Sequence, residues 1–163
     1  MKAIADASVL IFFAKLDRLE ILSSIYPELY AGGIVLAEVM KGEEKGFQDC
    51  LRVESFVREG KLKIVHGSAG KALSGEQETV LLAKKLKIGA VLMDDFSGVR
   101  FAKLHGLKAF SCPHILLKAL KEGLLSFEEF NSLLDRLLSF NYFISPLLLK
   151  KIILLSQGIG KGK

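Results

Sequence analysis

Tryptophan is absent from this sequence, proline occurs three times, and only two of the 163 residues are cysteine. Cys50 and Cys112 form no CxxC pair, which excludes a disulfide-stapled scaffold and a zinc ribbon. Both are expected to be small buried apolar groups in a reducing compartment. The three histidines, His66, His105 and His114, have no ligand spacing among them. His105 suits a helix C-terminus, and His114 a helix start near a phosphate. Long apolar runs are lacking as well. The longest, ASVLIFFA at residues 7–14, is far below the ~20 residues that cross a bilayer, and Lys150 with Lys151 breaks the C-terminal apolar stretch. Asp6 interrupts what would be the core of a signal peptide. These absences point to a soluble cytoplasmic protein with no membrane span.

What is present describes a folded domain. Half the residues are hydrophobic and a quarter are charged, which excludes a disordered tail or a fibre. The length suits a single domain. Lys and Arg outnumber Asp and Glu by 23 to 18, and the net charge of +5 is compatible with a polyanionic partner.

KAIAD followed by ASVLIFFAKL reads as a short strand, covered on both faces, passing directly into a helix. A helical pattern continues over residues 18–25, and Pro27 with Gly32 and Gly33 then punctuates the chain. A short helix is expected over residues 34–40 and another over about 46–58, stopped by Gly60 in a left-handed cap. LKIV at residues 62–65 is a strand, followed by a Gly/Ser/Ala-rich loop. Ser74 and Gln77 have capping-box spacing at the start of a helix that runs to about Leu86. Residues 90–93 form a strand, 98–105 a helix and 107–110 another strand. This alternation predicts an α/β fold with right-handed crossovers and a mostly parallel sheet.

The last third is helical. Residues 113–122 form a helix stopped by Gly123, Ser126 with Glu129 makes another capping box, and Ser145–Pro146 opens a final helix. That helix is apolar over more than one face, so it is buried by its own domain or by a second copy of the chain. The expected organisation is one domain over residues 1–157, with a core to about 125, C-terminal helices over about 126–157, and a flexible tail at 158–163. The GxGK string in that tail is no P-loop, because no Ser or Thr follows the lysine.

A few carboxylates occupy unusual places. Asp6 ends one apolar strand, and Asp94 and Asp95 end another, just outside the carboxyl edge of a parallel sheet where open α/β folds put their ligands. Glu76 lies in the first turn of the helix before the Asp94 strand, and Glu38 on the short helix at 34–40. Each also has a structural reading. Asp6 would cap the helix beginning near Ser8, Glu76 would favour a helix N-terminus, and one of the Asp pair would cap the helix at Gly98. If the two strands are adjacent, Asp6 and Asp94 meet. Clustered carboxylates raise one another's pKa unless a cation lies among them, and Mg2+ or Mn2+ suits an all-oxygen donor set.

At these residues the sequence resembles the PIN-domain ribonucleases, above all their prokaryotic branch related to the VapC-type toxins. The resemblance rests on ADASVLI, IVLAEV, LSGEQETVLLAKKL and VLMDDFSGVRFAKLHGLKAF, and covers about residues 1–125. It implies a PIN-like three-layer α/β/α fold with extra C-terminal helices and an acidic metal pocket. It places Asp6, Glu38, Glu76 and Asp94 at the acidic positions that hold Mg2+ or Mn2+, with Asp95 as an accessory. Ser8 matches a hydroxyl that supports the first Asp, and Arg100 a basic residue that pairs with the pocket or contacts substrate. Glu78 points about 200° away from Glu76 around the helix and is the weaker ligand. In one place the chain departs from that branch: where a glycine-rich turn usually follows the last strand, it reads SCPHIL.

The expected function is therefore metal-dependent hydrolysis of RNA phosphodiester bonds. It extends to a toxin with an antitoxin protein as partner, and to a homodimer formed through the C-terminal helices. The second reading is a catalytically silent PIN-like module that binds RNA or protein.

Overall fold

The computed structural model describes residues 1–42, 48–67 and 74–160. The chain divides after Cys112 into two compact units. The first contains a five-stranded, all-parallel sheet in the order β3-β2-β1-β4-β5, giving the three-layer α/β/α architecture of a PIN-like fold. Its elements are β1 (Lys2–Ala5), α1 (Ala7–Lys15), α2 (Leu19–Ile25), β2 (Glu28–Gly32), α3 (Gly33–Met40), α4 (Asp49–Arg58), β3 (Lys63–Val65), α5 (Gly75–Lys85), β4 (Ala90–Leu92), α6 (Phe96–Leu104) and β5 (Lys108–Phe110).

Central strand β1 is apolar because it is covered on both faces: Ala3, Ile4 and Ala5 are wholly buried. It pairs with β2 through Ile4 and Tyr30, and with β4 through Ile4 and Val91. Ile4 and Val91 pack with Val80 and Ala83 of α5 and Ala102 of α6. Successive strands proceed from β1 in one direction to β2 and β3, and in the other to β4 and β5. The strand order therefore reverses between β1 and β4, and a crevice opens at their carboxyl ends. Asp6 and Asp94 follow those two strands.

Strand β2 is a correction to the sequence reading, which took Pro27 to Gly33 as punctuation. Only three of its five residues are fully buried, and its two ends carry Glu28 and Gly32, so no apolar run marks it. Pairing with β1 and the ion pair from Lys2 to Glu28, at 2.9 Å, hold it in place. Helix α6 begins two residues before the expected position, directly after Asp95, which caps it. Gly60 does adopt the left-handed conformation expected of a helix stop, with φ +73°. The expected start of α4 at residues 46 and 47, and most of the loop expected after β3, lie outside the described residues.

Apart from its first residue, α7 (Cys112–Lys121) belongs to the second unit, with α8 (Phe127–Ser139) and α9 (Pro146–Gly160). The division thus falls earlier than the boundary near residue 125 expected from the sequence. Ser126 and Glu129 close a complete capping box on α8, with the Ser126 amide donating to Glu129 at 2.8 Å and the Glu129 amide to Ser126 at 3.1 Å. Helix α9 runs through Gly160, so Gly158 to Gly160 are helical rather than part of a tail, and the last three residues lie outside those described. No helix among the described residues is long and apolar enough to cross a membrane.

Candidate functional site

Asp6 is the fixed point of the crevice. Its amide donates to the Leu92 carbonyl at 2.9 Å, continuing the β1–β4 pairing past the last strand residue. It occupies the N-cap position of α1, yet its side chain caps nothing. Instead Oδ2 accepts the Ser8 hydroxyl at 3.1 Å. Oδ1 is buried without a hydrogen-bond partner among the described residues. Burial raises the carboxyl from 3.8 to about 6; the negative charges of Glu76 and Glu38 add to this, and the Ala7 amide and Ser8 hydroxyl oppose it. A buried, unpaired oxygen among like charges is a place where a cation is stabilising, so the Asp6 carboxylate itself suits a hard divalent ion.

Glu38 and Glu76 approach Asp6 from α3 and α5, and they do so through an exchange of carboxylates between those helices. Glu38 Oε1 accepts the amide of Gly75, the first residue of α5, at 3.2 Å. A Cβ on Gly75 would lie 2.6 Å from Glu38 Oε2, so a side chain there would displace the carboxylate. In return, Glu78 of α5 caps α3. One of its oxygens, Oε2, accepts the amides of Ile34 at 2.7 Å and Val35 at 3.2 Å. Gly32, the N-cap of α3, leaves room for it: a Cβ there would sit 2.0 Å from that oxygen.

Glu78 does point away from Glu76, as the helical angle requires, but into the protein, where it is 3% exposed. The sequence reading missed this structural role. One signal was available: α3 opens on two glycines with no Ser, Thr, Asp or Asn, so its free amides need an acceptor from elsewhere.

Glu76 makes no hydrogen bond or ion pair among the described residues. Its stem lies over Gly98, where a Cβ would meet Glu76 Cγ at 3.1 Å and Met93 Sδ at 3.2 Å. Asp95 secures this contact from the other side by capping α6. Its Oδ2 accepts the Gly98 amide at 2.8 Å and the Ser97 hydroxyl, which together hold its carboxyl below the usual range, the hydroxyl more strongly. Of the two readings for the Asp pair, capping therefore describes Asp95.

Asp94 is committed differently. Cys112 donates its amide to Oδ1 at 2.8 Å and its thiol to Oδ2 at 2.9 Å. Burial, and then the Asp94 charge, push the Cys112 thiol well up. The expectation of a merely apolar Cys112 is corrected accordingly. With Glu38 turned to Gly75 and Asp94 to Cys112, no three His, Cys, Asp or Glu side chains among the described residues are grouped to hold an ion. Arg100 is exposed and makes no ion pair among the described residues. It lies two positions beyond Gly98, about 200° around α6 from the face that meets Glu76, so it does not pair with the pocket.

A family model described as a PIN domain, DUF3368, matches residues 2–157. The chain belongs to the PIN-domain family. No curated protein matches it. The all-parallel sheet and the acidic residues following β1 and β4 thus have a family context, and the PIN match includes the C-terminal helices as well as the sheet.

Proposed function

We propose that this PIN domain is a divalent-metal-dependent ribonuclease that hydrolyses RNA phosphodiester bonds. One observation carries the reading: the Asp6 carboxylate, buried at the strand-order switch with Oδ1 unpaired and two glutamate charges acting on it. Asp6, Glu76 and Glu38 would hold Mg2+ or Mn2+, with Asp94 contributing from the neighbouring strand. When bound, the ion supplies Lewis-acid charge for water activation and for the developing negative charge on phosphate. Ser8 orients Asp6, and Asp95 acts at one remove by fixing the α6 turn on which Glu76 rests. The net charge of +5, with Arg100 exposed, suits the RNA backbone. The reading extends to a cytoplasmic toxin whose partner is an antitoxin protein.

The test is cleavage of a mixed RNA pool with Mn2+ by purified Asp6→Asn and Asp94→Asn. Both should lose turnover while keeping the wild-type circular dichroism spectrum, and unchanged cleavage by either overturns the assignment. Mn2+ calorimetry needs no substrate and should show saturable binding that Asp6→Asn removes.

A binding role is favoured by a separate observation. Helix α9 leaves Leu147, Leu154 and Leu155 exposed, an apolar surface suited to a second copy of the chain. A silent binder would retain RNA in EDTA, whereas the nuclease needs its ion for turnover. Sedimentation of the wild type against Leu154→Glu tests the homodimer.

A further inference from the structure

We propose that the outer face of α6 holds the nucleotide flanking the crevice, with its base stacked on Phe96 and its phosphate on Arg100; the inference rests on the RNA reading above and not on the ion. Phe96 is the first residue of α6, two positions after Asp94, and it is 81% exposed. Its backbone is nevertheless fixed. Asp95 Oδ2 accepts the Ser97 hydroxyl and, at 2.8 Å, the Gly98 amide, which holds the turn that carries the ring. Gly98 meets the Glu76 stem, and Phe96 lies about 200° around the helix from Gly98. The crevice and the Phe96 ring are therefore on two sides of one helical turn. Arg100 follows Phe96 by four positions and Lys103 by seven, so both share its face, and both are exposed. Helix α6 itself contains no carboxylate.

The order of residues along this face selects its occupant. Leu104, 77% exposed, lies ~12 Å of helix beyond Phe96, with the two cations between them. A partner helix needs a continuous apolar stripe, and none is present on this face. A nucleotide needs the alternation that is there: a flat ring for the base and, one turn or ~6 Å on, a cation for the phosphate. Arg100, which faces away from the acidic residues, thereby has a ligand of its own, and Lys103 continues the track to the next phosphate.

The experiment uses the full chain and fluorescence anisotropy of a labelled single-stranded oligoadenylate, in EDTA and again in Ca2+. Phe96→Ala should weaken binding about tenfold and leave its salt dependence unchanged, because stacking carries no charge. Phe96→Tyr should stay within about threefold, and Phe96→Leu should be as weak as Ala, since it keeps apolar surface but loses the flat ring. Arg100→Ala should instead lower the slope of log K against log salt by ~0.7, the share of one single-strand phosphate contact. A strand of the same length without bases should bind the wild type about tenfold more weakly than oligoadenylate, and should not distinguish it from Phe96→Ala. That comparison on the wild type needs no variant to fold. Wild-type affinity in Phe96→Ala or Phe96→Leu, or a wild type that binds both strands equally, overturns the platform alone. A wild-type dimer that Phe96→Ala dissolves, with oligoadenylate affinity unchanged, overturns it in favour of a second copy of the chain. A wild type that binds oligoadenylate in neither condition overturns the RNA reading and the platform with it.

Discussion

Removal of Glu78 should cost stability and leave metal binding intact, in contrast to the other glutamates of the crevice. Its Oε2 satisfies two amides of α3, one at Ile34 and one at Val35. In Glu78→Ala the Ile34 amide regains some water because that residue is half-buried, whereas Val35 is wholly buried and its amide stays unsatisfied. A lost charged hydrogen bond with a stranded buried donor puts the loss at ~3 kcal/mol. For a chain of this size that is a fall of about 10 °C in Tm. Glu78→Gln keeps a carbonyl oxygen for both amides and should cost only ~1 kcal/mol. Gly32→Ala provides the second arm, since its methyl would occupy space 2.0 Å from the carboxylate oxygen and must evict it. The two substitutions remove the same interaction, so their costs should not add. Urea unfolding of both singles and the double gives the coupling, expected at ~1–3 kcal/mol. Hydrogen exchange at Ile34 and Val35 reports the same loss locally. Additive costs, or a Glu78→Ala variant within ~0.5 kcal/mol of the wild type, would refute the cap, the latter because so small a change is typical of an uninvolved surface site.

The raised Asp6 carboxyl makes a pH prediction with a definite sign. Because it moves from 3.8 to about 6 on folding, its contribution to stability is full below pH 3.8 and is lost as pH rises through 6. Metal-free protein should therefore lose up to ~3 kcal/mol across that window in urea titrations, and Asp6→Asn should flatten the profile. Ser8→Ala removes the donor to Asp6 Oδ2 and should weaken Mn2+ binding about tenfold by calorimetry. Gly75→Ala should destabilise by ~1 kcal/mol because its Cβ pushes Glu38 off the Gly75 amide; in a Glu38→Ala background alanine's better helix propensity should reverse the sign.

The sheet edge was legible because its signals are local. A buried strand ending in an acid, followed at once by an apolar helix, identifies Asp6, and the same grammar identifies Asp94. Capping residues were legible for the same reason: Ser74, Ser126 and Ser145 each precede their helix and accept from it. Contacts across the fold were not. Strand β2 is defined by its neighbour β1 rather than by its own composition. The Glu78 cap joins residues 44 positions apart, and the Cys112 donors reach back 18 positions to Asp94. Helical geometry alone shows that Glu78 diverges from Glu76, but not that it turns toward two amides in need of an acceptor.

That distinction also decides which carboxylates are available to an ion. Glu78 holds two amides, one wholly buried, and withdrawing it strands a donor that water does not reach. Glu38 holds a single amide among the described residues, at 3.2 Å, the long end of the normal range, and is itself only half-buried. Releasing it therefore forfeits about one net hydrogen bond, ~1 kcal/mol, which a divalent cation held at Asp6 would offset. Glu76 has no such bond to break among the described residues, and Asp94 is held by both Cys112 donors. The geometry thus ranks the three glutamates by what each must give up: Glu76 least, Glu38 next, and Glu78 so much that it belongs to the scaffold.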